Sequence, residues 1–413
     1  MHAEHSLKTN PLSRFHLLDP VRGLAAIWVF VFHFHFSEHF QSTFPTLHSV
    51  FKIGDRAVPL FFVISGYCIA MTSYRVIQSN VSSWTFLKKR IYRIYPTFWC
   101  SIAVICSLRL LGVYLHSVGI IEDSAMKFYP ELPKNYSSAD WFGVFTLTQG
   151  FRFIDKGWCL GFGKINGAYW TLAIEMQFYL TVFLLLLFRK KFVLGLAIVS
   201  GLSFAIYYHS VWKLNASLLG LFFPFWTWFS FGLVLFWLHH KQWTPQILLG
   251  KSALPYCSYL LGLMAVVLVY CGRSGIAIDR QLFALLSTVS MWCLLALDEK
   301  FIQMRGSGHS ALRVMSIIAT ALGTASYTIY LTHNELSHIH SLTVRTLQLQ
   351  RDAWTDCVVV VGTIAMGYLL YHAIEKPFLR KRRTLGTQIA EKRDTIQMMD
   401  DSRTTPTLEQ KAA

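Results

Sequence analysis

The sequence predicts an all-α, polytopic membrane protein of about ten transmembrane helices with both termini in the cytoplasm. Three observations predict it. The 413 residues are 54% hydrophobic and only 15% charged, with a mean hydropathy of +0.41, whereas a soluble domain carries more charge. Apolar runs recur along nearly the whole length, each close to the roughly 20 residues that cross a hydrocarbon core about 30 Å thick. Lys and Arg fall in short clusters between these runs, as the positive-inside rule expects. No stretch shows the roughly 10-residue alternation of an outer-membrane barrel.

The expected spans lie near 17–36, 56–73, 94–115, 166–188, 192–209, 217–238, 253–272, 281–297, 314–335 and 355–375. An even number places both termini on one side. The loops after even-numbered spans hold Arg75, KKRIYR (88–93), RKK (189–191), Lys241, Lys251, Lys300, Arg305 and Arg313, so that side is expected to be cytoplasmic. Residues 1–16 form a polar N-terminal segment with no cleavable leader. Residues 17–380 form the membrane domain, and 381–413 a polar, disordered cytoplasmic tail. One outer loop, 116–165, is long and rich in Gly and aromatic residues, with a re-entrant or interfacial piece expected near 140–151. No internal repeat is visible.

The net charge of +16 is accounted for by basic loops facing anionic headgroups, without nucleic acid. The eight cysteines form no CxxC pair and no zinc spacing, so no metal is expected. They read as small buried hydrophobes.

The first span, LDPVRGLAAIWVFVFHFHF (18–36), carries Asp19, Arg22, His33 and His35. At 100° per residue, Arg22 and His33 differ by only about 20° after three full turns and lie about 16 Å apart along the axis. Asp19 is on the same flank, small Ala26 and Val29 fall between, and His35 faces away. A narrow polar stripe is therefore expected to run from the cytoplasmic end toward mid-membrane. The bland alternative is snorkelling at the mouth plus a packed histidine.

Further residues stand out in order. Ser65 and Gly66 sit inside VPLFFVISGYCIA (58–70), and suit either close helix approach or a cavity. Arg90 and Arg93 are three apart in KKRIYRIYP (88–96). If helical they point one way, a geometry suited to phosphate or to simple positive-inside flanking. Glu175 lies within NGAYWTLAIEMQFYL (166–180), where a carboxylate needs a partner such as His33 or an arginine. Trp170 at its start is expected to line the site. His333 ends SYTIYLTH (326–333) and is expected to line the site or to serve at the interface, and Glu375 and Pro377 close the last span as interface or capping features.

These segments, in this order over about residues 14 to 380, resemble integral-membrane acyltransferase family three, which includes bacterial O-antigen and exopolysaccharide O-acetyltransferases. LDPVRGLAAIWVFVFH (18–33) paired with PLFFVISGYCIA (59–70) is the more specific part; KKRIYRIYP, YWTLAIEMQFYL, SYTIYLTH and EKPF (375–378) support it. The resemblance implies a ten-helix domain in a bacterial inner membrane. It would take an acyl group, acetyl by default, from cytoplasmic acyl-CoA to a hydroxyl of a glycan or lipid-linked glycan. Acyl-CoA is a co-substrate, and no resident cofactor is implied. Arg22 and His33 match the family's paired Arg and catalytic His, and Arg90 and Arg93 its Arg-x-x-Arg motif. Pro20 stands where a small residue is usual, at a helix start where Pro is tolerated. The resemblance is to a single-domain member.

The mechanism expected from these residues has donor phosphates at Arg90 and Arg93 and Arg22 near the mouth. The thioester would extend along the stripe to His33 as general base, with Glu175 orienting the imidazole or balancing charge. A secondary transporter of a glycan or lipid-linked intermediate is the alternative reading of so many spans with interior charges.

Overall fold

The computed structural model describes residues 15–123, 136–148, 165–213, 221–306 and 310–380. Among them the secondary structure is entirely helical, as expected from periodicity. The expected N-terminal segment up to 14, the tail from 381 and much of the long outer loop lie outside the described residues.

Helices occupy all ten expected stretches, but with unequal lengths. They are α1 (Leu18–His33), then, after two short helices α2 (Glu38–Thr43) and α3 (Pro45–Phe51), α4 (Ala57–Gln78) and α5 (Ser83–Ser117). A short α6 (Ser138–Thr146) precedes α7 (Trp170–Leu187), α8 (Phe192–Lys213) and α9 (Phe223–His240). After α10 (Pro245–Leu249) come α11 (Ala253–Ser274), α12 (Arg280–Leu295), α13 (Asp298–Gly306), α14 (Ser310–Thr346) and α15 (Ala353–Leu370). Seven helices are long and apolar enough to cross a membrane, or eight if α12 and α13, bent by 53°, form one span. The count of ten is not reached on these grounds: α1 has only 16 residues, about 24 Å. It stops at His33, short of the expected 36, because Phe34 turns to extended backbone. His33 is therefore the last residue of its helix and not an interior one.

Burial is inverted relative to a soluble protein. Val193 and Phe204 on α8, Val266 and Tyr270 on α11, and Val358 and Leu369 on α15 are exposed apolar side chains. Polar and charged groups such as Arg90, Arg109, His333, Glu335, Asp356 and Glu375 are buried. In a bilayer the outward apolar face costs nothing, and interior polar groups must satisfy one another.

Two glycine crossings place the site. Helices α1 and α14 run parallel in backbone contact: a Cβ on Gly23 would lie 2.7 Å from Gly323 N, and one on Gly323 only 1.9 Å from the Asp19 carbonyl oxygen. Helices α4 and α9 meet in the same way, where a Cβ on Gly66 would lie 2.1 Å from Phe229 O and one on Gly232 2.0 Å from Val63 O. Small residues let helix backbones approach this closely, and little else does in lipid. The exit of α1 is pinned as well. Ser37 N donates to Asp356 Oδ2 at 2.6 Å, and Arg351 donates to the His35 carbonyl.

Part of the outer loop packs back onto α5. Helix α6 starts with a capping box between Ser137 and Asp140. At its other end the carbonyls of Phe145 and Thr146 accept from Trp99 Nε1 and Tyr95 Oη. A helix lies where an interfacial or re-entrant piece was expected; residues 149–151 of that stretch are outside the described residues.

Gly323→Ala should destabilise the protein by about 1–3 kcal/mol, the usual cost of overpacking. Thermal unfolding in detergent should show a clearly lowered midpoint, while Thr324→Ala, on the exposed side of the same turn, leaves it in place. An unchanged midpoint for Gly323→Ala would contradict the crossing.

Two cavities as the candidate functional site

The α1–α14 contact carries polar residues at both ends. Near the start of α1, Arg22 donates to Ser326 Oγ at 3.1 Å and lies 3.8 Å from Asp19, its expected neighbour. At the end of α1, the ring of His33 lies 5.6 Å from that of His333, centroid to centroid. The order Arg22–Ser326, then His33–His333, is that of two helices running parallel.

A cavity opens around Arg22. Arg90 and Arg93 enter it from α5, Ser65 and Cys68 from α4, Thr171, Glu175 and Tyr179 from α7, and Ser326, Tyr327 and Tyr330 from α14. The three arginines thus meet as the sequence suggested, yet they are not equivalent. Arg90 is committed to the protein: it donates to Thr72 Oγ1 at 2.6 Å and stands 5.3 Å from the Tyr179 ring. Arg93 lines the cavity without a hydrogen-bond partner among the described residues. Glu175 accepts from Ser65 Oγ at 3.0 Å and from Tyr179 Oη. Three guanidinium groups and one carboxylate line this chamber, with Asp19 and Glu375 close behind, and the excess of positive charge at its wall suits an anion. Glu375, expected to cap a helix at the interface, is buried instead. It accepts from Thr328 Oγ1 at 2.7 Å, within electrostatic reach of Arg22 and Arg93.

His33 is not in that chamber. It lines a second cavity with Val29 and Phe32 of α1, Asp55, Val58, Trp170, Trp228, Arg280, Tyr330 and Asn334. This is the larger of the two, about 1110 Å³ against 830 Å³ with the space at their mouths included. Val58 and Tyr330 line both cavities, so the cavities stand back to back with these two side chains between them. Tyr330 is held in place by a 2.9 Å hydrogen bond with Thr171 Oγ1.

The single channel expected along the Arg22–His33 stripe is therefore two chambers. The stripe itself is turned into α14, where Ala26 packs against Ala325 and Ile329. Three further expectations are corrected. Glu175 is not placed to orient the His33 imidazole, because Ser65 and Tyr179 hold it in the arginine chamber. Gly66 does not line the site, because it is consumed by the α4–α9 crossing; its neighbour Ser65 does the lining. His333 lines neither chamber but stands behind His33, 1% exposed. Trp170 is at the His33 cavity, as site lining was expected to be. Among the described residues no group of three or more His, Cys, Asp or Glu side chains comes together as a metal site.

Sequence reasoning missed several residues. Arg109 and Glu335 form a buried pair, Nη2 to Oε2 at 2.9 Å, and Arg109 also donates to the Ile165 carbonyl at 2.6 Å. Both charges lie within expected apolar spans or at their ends, and intramembrane charge was the available signal. The pair clamps α5 to α14 and to the strand of chain leading into α7, beside Asn166, which donates to the Leu331 carbonyl at 2.7 Å. Asp55 pairs with Arg56 and, at 3.2 Å, with Arg280; nothing local marked these two as cavity residues. Tyr330 looked like one apolar ring among many.

Comparison with known proteins follows this geometry. The profile of a family described as an acyltransferase domain matches residues 15–372. An exopolysaccharide production protein, ExoZ, of Rhizobium meliloti is 29% identical over 81% of this chain and 92% of its own length. Nodulation protein 10 of Rhizobium leguminosarum bv. viciae is 27% identical over 79% of this chain and 83% of its own. Protein 2 in the picA locus of Rhizobium radiobacter is 31% identical, over only 24% of this chain and 49% of its own length. No solved structure matches.

Glu335→Ala should cost about 3–5 kcal/mol, since it strands a buried guanidinium. The joint replacement Arg109→Met/Glu335→Met should recover much of that loss. Thermal unfolding of the three proteins in detergent checks this; a double variant no better than Glu335→Ala would show that the clamp does more than pair charges.

Proposed function

The chain belongs to integral-membrane acyltransferase family three, a multi-pass membrane protein, and from that premise we propose that it moves an acyl group from cytoplasmic acyl-CoA to a hydroxyl of a glycan. Acetyl is the group the family resemblance favours. An exopolysaccharide or its lipid-linked precursor is the acceptor favoured by the ExoZ relative's name and coverage. On this reading the chain crosses the bacterial inner membrane ten times with both termini cytoplasmic, as its loop charges favour.

The observation that carries the reading is the pair of back-to-back cavities. Acyl transfer from a cytoplasmic donor to an outward-facing glycan needs an anion-seeking chamber on one side and a basic group on the other. The arginine chamber faces the cytoplasm in this orientation. Arg93, which makes no hydrogen bond among the described residues, and Arg22 take the donor's phosphates; Arg90 shapes the wall from its place on Thr72. This shifts the expected Arg90–Arg93 clamp toward Arg93 and Arg22. The acylated arm extends to the boundary at Val58 and Tyr330, where the thioester carbonyl meets the second cavity. There His33 takes the proton of the acceptor hydroxyl as its oxygen attacks the carbonyl carbon. The C–O bond forms, the C–S bond breaks, and coenzyme A leaves as a thiolate on the cytoplasmic side. Glu175 balances charge among the arginines.

Two substitutions test the division. With radiolabelled acetyl-CoA and membrane vesicles, His33→Ala should lower label transfer to polysaccharide by about 10²–10⁴-fold, the range of a lost general base. Arg93→Ala should raise the donor KM by about 10-fold with a smaller effect on kcat, the mark of lost ground-state binding. Full transfer by His33→Ala, or glycan flux without label, would overturn the reading.

A further inference from the structure

His333 is the buried polar side chain the mechanism leaves unused. Its Nδ1 lies 2.7 Å from the Tyr330 carbonyl oxygen. A carbonyl only accepts, so Nδ1 carries the proton, and in the neutral ring Nε2 is a bare acceptor. That Nε2 is buried and has no hydrogen-bond partner among the described residues. An acceptor left so in a protein interior costs about 1–3 kcal/mol, which is unusual enough to call for a reason.

The ring facing His333 is that of His33, tilted by 32° at 5.6 Å. The two rings make no hydrogen bond as they stand, but at this separation a rotation of the His33 ring, at the end of its helix, brings one of its nitrogens toward His333 Nε2. Resting on the reading of His33 as the base, we propose that His333 is its positioning residue. His333 Nε2 accepts the N–H of His33, which leaves the other His33 nitrogen bare toward the cavity. When that nitrogen takes the acceptor's proton, the resulting imidazolium keeps its second N–H on His333. A base is commonly fixed in tautomer and orientation by the partner of its other nitrogen. Glu175, for which the sequence offers this task or charge balance, is held in the other chamber. The remaining charged groups at the His33 cavity, Asp55 and Arg280, are paired with each other; His35 is within electrostatic reach of His33 but does not line the cavity. Because Nδ1 of His333 is anchored on the backbone carbonyl of Tyr330, one turn earlier in the same helix, the His333 ring is itself held in a fixed orientation.

The test compares His333→Met, which fills the space without a useful acceptor, with His333→Gln, whose Oε1 can stand near the Nε2 position. Both are measured as purified protein in nanodiscs with radiolabelled acetyl-CoA and isolated polysaccharide. His333→Met should lower kcat by about 10–100-fold, the usual cost of a lost orienting partner, with both KM values held. His333→Gln should recover kcat to within about 10-fold of wild type. In the His33→Ala background His333→Met should cost nothing more, since it acts through His33. Wild-type kcat for His333→Met, equal losses for Met and Gln in folded protein, or a further loss on top of His33→Ala would each overturn the proposal. Should His333→Met fail to fold, His333→Asn, too short to reach His33, takes its place. Activity retained by His33→Ala alone would instead remove the base assignment on which the proposal stands.

Discussion

At Gly323 the chain has no room for even one carbon. The Asp19 carbonyl fills the place of a Cβ, and the rest of the architecture is arranged about that contact. Two parallel helices held backbone to backbone fix their register. Arg22 then stands beside Ser326, and His33 beside His333, at opposite ends of one seam. The remaining helices complete a chamber at each end. Helices α4, α5 and α7 close in Ser65, Arg93 and Glu175 around Arg22. The turn before α4, the start of α7 and the start of α12 bring Asp55, Trp170 and Arg280 around His33.

The seam explains why polar groups in an apolar chain are tolerated. In lipid an unpaired polar atom costs several kcal/mol, and most interior groups here are matched: Arg90 with Thr72, Glu175 with Ser65 and Tyr179, Arg109 with Glu335, Glu375 with Thr328. Other buried polar atoms also lack a hydrogen bond, Arg90 Nε and Trp228 Nε1 among them; what sets the Arg93 guanidinium and His333 Nε2 apart is where they stand. One faces the anion-seeking chamber and the other backs the histidine of the second. Groups left unmatched where matching is the rule are the places to look for ligand and chemistry.

Much of this was legible in the sequence because it is helical and periodic. The 3.6-residue repeat is enough to put Arg22 and His33 on one face and Arg90 and Arg93 on another, and both placements hold. What periodicity lacks is the partner surface. It sees a stripe on α1 but not that α14 covers its middle, so one channel was expected where Val58 and Tyr330 separate two. It sees Ser65 and Gly66 side by side but not that one faces a cavity and the other a helix. For Glu175 the sequence leaves His33 and an arginine equally open as partners, and only the packing of α7 against α4 shows that Ser65 holds it on the arginine side. Arg109 and Glu335 are the opposite case, two intramembrane charges far apart in sequence whose pairing only the tertiary structure brings out.

The central claim is that a cytoplasmic acyl donor reaches His33 through the boundary at Val58 and Tyr330. A cryo-EM structure of the protein in nanodiscs with a non-hydrolysable acyl-CoA analogue tests it most directly. The account predicts phosphate density against Arg22 and Arg93 and the acylated arm passing Tyr330, its carbonyl within reach of the His33 ring. An arm that stops short in the arginine chamber, or a donor seated from the His33 side, would contradict it.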